Sequence, residues 1–122
     1  MADLHESLVR AFRRRIIRGG MREAKSPMPT YRPDIFAERL SKSGAVLEQV
    51  AVEAEIHSTL FSEHTSHQLL RMHEFMTLQR AKRIRVRGFL LVPRTKNARV
   101  HASGILESLF PDGTAIAVVE AA

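Results

Sequence analysis

Two kinds of side chain gather densely enough in this sequence to do chemistry: histidine beside carboxylate, and arginine. His57, His64, His67 and His73 fall within 17 residues. On a helix, His64 and His67 share a face at i, i+3, and Glu63 and His67 share one at i, i+4. Glu53 and His57 repeat the second spacing. One carboxylate and two imidazoles can ligate a metal, so Glu63, His64 and His67 are the candidate ligands. The run lacks both the HExxH spacing of helical zinc proteases and the Glu-x-x-His spacing of carboxylate-bridged bundles. A solvated polar helix face, or buried imidazoles satisfied by their neighbours, is the favoured account, and the expectation is no metal and no cofactor.

The arginines form two blocks. Arg10, Arg13, Arg14, Arg15 and Arg18 place five guanidiniums within nine residues, and Arg83, Arg85 and Arg87 alternate along a second segment. Clustered arginine is the electrostatic footprint of phosphate binding, with bidentate geometry favouring it over lysine. The expected nucleic-acid contacts are Arg13, Arg14, Arg15, Arg18, Arg83, Arg85 and Arg87. No aromatic pair sits on a strand in the manner of an RNA-recognition sheet, and no helix-turn-helix pattern is evident. Backbone contact without sequence readout is therefore expected.

Catalytic signatures are missing. There is no Gly-x-Ser-x-Gly elbow, no Walker loop and no Gly-x-Gly-x-x-Gly. Acid–base work by a carboxylate pair needs Glu53, Glu55 or Glu63 in a cleft, and helical spacing puts all three at the surface. The expectation is a non-enzymatic chain.

Composition agrees with a small globular domain. The chain has 122 residues, 44% hydrophobic and 26% charged, with no cysteine. Disulfides, thiolate metal sites and thiol catalysis are excluded. No apolar run reaches membrane-spanning length, and the early Asp3 and Glu6 do not suit a secretory leader. A cytoplasmic location, or one within a particle, is expected. The net charge of +6 is uneven. Residues 1–33 hold eight Lys/Arg against three Asp/Glu, residues 34–80 four against seven, and residues 81–122 seven against three. Positive potential at both ends of the chain attracts nucleic acid or an acidic protein surface.

These groups need elements to position them. Leu4, Leu8, Phe12 and Ile16 recur at helical spacing, with Asp3 as cap and Gly19-Gly20 as stop. This gives a basic helix over 1–20. Residues 21–33 hold three prolines and no period, which reads as an extended arm or linker. Asp34 reads as the cap of a short helix, and 34–81 as helical throughout, either one long helix or two. Ser62 is a possible second cap. The period changes to two at Arg83, and Pro111-Asp112-Gly113 is a turn signal. Residues 83–120 therefore read as a three-stranded antiparallel meander. The expected fold is a single α+β domain.

Three roles follow. The first is a basic structural or assembly subunit that grips nucleic-acid phosphates, as a ribosome-associated or virion component would. The second is a protein–protein adaptor or homo-oligomeric assembly protein. The third is a histidine–carboxylate metal enzyme. A membrane-surface role for the first helix is disfavoured, because the same apolar stripe is what packing on a core requires.

Overall fold

The computed structural model describes residues 3–56 and 58–121. The first element, α1 (Leu4–Arg18), forms because the Asp3 side chain accepts the Glu6 backbone N–H at 2.7 Å. Gly19 ends it, its N–H donating to the carbonyls of the last turn. Then come β1 (Arg22–Glu23), β2 (Ile35–Leu40), β3 (Val46–Ala54), α2 (Glu63–Ala81), β4 (Arg85–Val92), α3 (Ala98–Leu109) and β5 (Ala117–Glu120).

The strands form one mixed sheet in the order β1-β2-β3-β4-β5. β1, β2 and β3 pair antiparallel. β3, β4 and β5 pair parallel, so their connections must cross over through helices. Both crossover helices, α2 and α3, cover one sheet face, around Phe36, Ala51, Leu90 and Val92. α1 covers the other, with Leu8 buried and Val9, Phe12 and Ile16 half-buried on Ile35, Val50, Val52 and Leu91. The α+β class holds.

Two expectations are overturned. Residues 34–81 are not helical throughout: the first part is a β-hairpin, and only Glu63–Ala81 is helix. β3 is covered on both faces and almost entirely buried, so it shows no period of two. Its apolar residues at 46, 47, 50 and 54 imitate a helical stripe. The β-branched Val46, Val50 and Val52 favour strand instead. Asp34 does not cap a helix; it enters β2.

The C-terminal antiparallel meander is also replaced. Residues 98–109 form α3, whose buried Ala98, Ala102, Ile105 and Leu106 recur at i, i+4, i+7 and i+8. Gly104 lies within that helix. The first and third expected strands survive as β4 and β5, but they pair with each other in parallel. Ser62 does cap α2, accepting the Thr65 N–H at 3.1 Å.

Candidate functional site

The expected metal ligands do not build a site. Glu63, His64 and His67 are all exposed on the first turns of α2. His73 is turned inward, hydrogen-bonded to Thr114 at 2.9 Å and stacked on Phe110. His57 lies outside the described residues.

A different group converges where β2 begins and β3 ends. Ile35 pairs with Val52 across the antiparallel ladder. The next residues outward, Asp34 and Glu53, therefore stand opposite each other. Glu53 and Glu55 are two apart along extended chain and share a face. The Glu55 N–H donates to the Leu91 carbonyl at 2.9 Å, which carries the β3–β4 ladder one residue past Ala54. Helical spacing would put Glu53 and Glu55 at the surface, but both are buried. Only the strand assignment shows that they point the same way.

Asp34 Oδ2 accepts the Ala54 backbone N–H at 2.8 Å. It also lies 3.3 Å from His5 Nε2, on the first turn of α1. Glu53 is 3% exposed. Its carboxyl lies within hydrogen-bonding reach of Asp34 and Glu55. Two carboxyl groups can be joined only through a proton. Its Oε2 is buried with no partner among the described residues. Burial pushes the Glu53 carboxyl up to about 10, and the charges of Asp34 and Glu55 add to the shift. Glu53 therefore stays protonated at neutral pH. The Tyr31 hydroxyl is likewise buried and unpartnered among the described residues. Burial first, then Glu53 and Asp34, hold that phenol in its protonated form. Tyr31 leans on Phe75, itself edge-on to Phe36, and this aromatic wall keeps water from the cluster's inner side.

The cluster reaches open space at Asp34. Tyr31 and Asp34 line a cleft of about 530 Å³ together with Arg13, Lys25 and Arg32. A second hollow of about 430 Å³ holds His5, Arg10, Arg13 and Asp34. The two share Arg13 and Asp34, which makes a groove with cations on both sides of Asp34. Among the described residues, no three His, Asp or Glu side chains are arranged to hold a metal ion as they stand.

The seven expected phosphate contacts divide. Arg13 faces the groove and pairs with Glu23. Arg14 and Arg18 are exposed on α1, and Arg83 is exposed in the α2–β4 turn with φ 62°. Arg85 and Arg87 reach Glu48, at 4.0 and 2.7 Å. Arg15 and Arg87, one from each basic block, line a single hollow with Arg39. The groove cations Lys25 and Arg32 were not among the expected contacts, because only the fold brings the Pro-rich arm beside α1; Arg10 belongs to the first arginine block. Among the described residues, no helix is long and apolar enough to cross a membrane.

No protein-family model, curated protein or solved structure matches this chain.

Proposed function

We propose that this chain hydrolyses a phosphodiester bond in nucleic acid with the help of a divalent cation, at the site formed by Asp34, Glu53 and Glu55. One observation carries the reading. Glu53 is a buried acid with an unpartnered oxygen, set against two further carboxylates, of which Asp34 lines a groove with arginine and lysine. Three neighbouring carboxyl groups are stable only with protons, a cation or hydrogen-bond donors among them. All-oxygen ligands suit Mg²⁺ or Mn²⁺. Such an ion would supply Lewis-acid charge at the reacting phosphate.

The chain's own residues then have distinct tasks. Asp34 and Glu53 would hold the cation, Glu53 giving up its proton to do so. The Ala54 N–H and His5 fix the Asp34 carboxylate. Glu55 would take the proton from an attacking water. Water oxygen bonds to phosphorus, the phosphorus–oxygen bond to the leaving sugar breaks, and that oxygen is protonated from solvent. Arg10, Arg13, Lys25 and Arg32 would seat the flanking phosphates.

The test is cleavage of plasmid and single-stranded DNA and of RNA with MgCl₂ or MnCl₂. Strand scission that chelator abolishes, and that is lost in Asp34→Asn and Glu53→Gln, is the expected result. Tight nucleic-acid binding without scission in either metal from pH 6 to 9 would refute it.

That outcome would favour a second reading, a non-enzymatic basic subunit of a larger particle. The meeting of the two arginine blocks at one hollow supports it. Affinity that does not fall as salt rises would count against both readings.

A further inference from the structure

The hollow shared by the two arginine blocks lies under the second half of α1, away from the carboxylates. It measures about 260 Å³ and is floored by Phe12, Ile16, Val50, Phe89 and Val119. Phe12 and Phe89 meet edge to face, with centroids 6.1 Å apart. Each carries a guanidinium over its ring: Arg15 at 5.8 Å from Phe12, Arg87 at 5.9 Å from Phe89. Arg39 closes the rim, held by its bond to the Gly19 carbonyl at 2.9 Å. Three cations thus ring an aromatic floor, and the aromatic faces hold two of them in place before any ligand arrives.

Their charge is poorly balanced. Glu48 alone serves both Arg85 and Arg87. Among the described residues, no carboxylate pairs with Arg15 or Arg39. This combination, fixed guanidiniums above an apolar aromatic surface, fits a phosphate joined to a flat apolar body. The volume lies just below the range of about 300–1,000 Å³ usual for small-molecule pockets, which suits one nucleotide and excludes a duplex. Arg15 lies ten residues beyond His5 on α1, or about 15 Å along the helix axis. A phosphate bound here is not the phosphate that reacts.

We infer that this hollow binds one unstacked nucleotide of the substrate strand. Its phosphate would lie on Arg15, Arg39 and Arg87, and its base against Phe12 and Phe89, at a fixed distance from the cleavage site. The inference rests on the nucleic-acid reading above, and its test does not depend on cleavage. Deoxyadenosine monophosphate, deoxyadenosine and inorganic phosphate would be titrated separately against the full chain, followed by amide NMR shifts. The monophosphate should bind about tenfold tighter than either fragment, with shifts in α1 and β4. Arg15→Gln and Arg39→Gln, each checked for fold by circular dichroism, should each weaken it about tenfold. Both should weaken a single-stranded oligonucleotide similarly, while Asp34→Asn leaves monophosphate binding unchanged. Equal affinity for phosphate and monophosphate, or indifference to both arginine variants, would overturn the inference. Absence of cleavage by the parent chain, with monophosphate binding intact, would strike only at the catalytic reading.

Discussion

Replacing Glu53 by glutamine should raise stability and abolish cleavage together. Glu53 is held at about 10 in the folded chain against an ordinary 4.5. The folded state therefore binds a proton that the unfolded state has lost at neutral pH. A group with its folded value raised contributes fully below pH 4.5, and that contribution fades as pH climbs towards 10. The slope is about 1.4 kcal/mol per pH unit. At pH 7 the cost of taking up the proton is about 3 kcal/mol, the same for any folded value well above 7. Glutamine has the shape of the protonated acid and no proton to gain, so it removes this term. Urea denaturation from pH 5 to 9 should show Glu53→Gln pulling ahead of the parent by about 1.4 kcal/mol per unit. A stability difference that stays flat with pH, or that shrinks as pH rises, would refute the assignment of a proton to this cluster. Mg²⁺ or Mn²⁺ competes with that proton and should stabilise the parent more as pH rises. Glu53→Gln should respond weakly.

Saturating divalent cation, at 100 times its dissociation constant, should stabilise the parent by about 3 kcal/mol; Asp34→Asn should lose most of that shift in a thermal melt. Gly88 lies under α2, where an added Cβ would meet Met76 Sδ at 2.5 Å and Met72 Sδ at 3.0 Å. Gly88→Val should cost about 1–3 kcal/mol by overpacking, read by denaturant midpoint, and an unchanged midpoint would argue against the α2–β4 packing. Gln79 donates to Gln49 at 2.7 Å in the core. Gln79→Leu should cost about 1–3 kcal/mol, because it strands the Gln49 carbonyl; the double replacement Gln49→Leu with Gln79→Leu should recover part of the loss.

What the sequence disclosed depended on whether one face of an element meets water. α1 has one apolar stripe, an acidic cap and a glycine stop, and it lies where its residues place it. β4 alternates Arg85, Val86 and Arg87 because its start is exposed on one face, so its period was legible. β3 is buried on both faces, and burial erases the alternation that identifies a strand. α3 was misread because Val100 and the mid-helix Gly104 break the usual helical composition. The carboxylate site was hidden for the same reason as β3. Glu53 and Glu55 carry their meaning only as neighbours on one strand face, and Asp34 only as the residue across the ladder from Glu53. The arginine blocks were visible as charge. Their meeting at Arg39 was not, since nothing local in the sequence links residues 15, 39 and 87.

α1 is fastened to β2 at both ends: His5 to Asp34 where the strand begins, Gly19 to Arg39 near where it ends. Between these clasps only Leu8 is fully buried. The helix thus has two firm anchors and a thin adhesive layer. Elements with little buried area open first in native-state fluctuations. Here such an opening would be all or none, because releasing one clasp leaves the other to hold a helix whose core contact is Leu8 and the half-buried Val9, Phe12 and Ile16. Amides along α1 should then exchange with solvent as one block, ahead of β3 and β4. During that brief excursion the groove and the distant hollow would lose a wall at the same instant, so a strand lying along both would latch the helix shut.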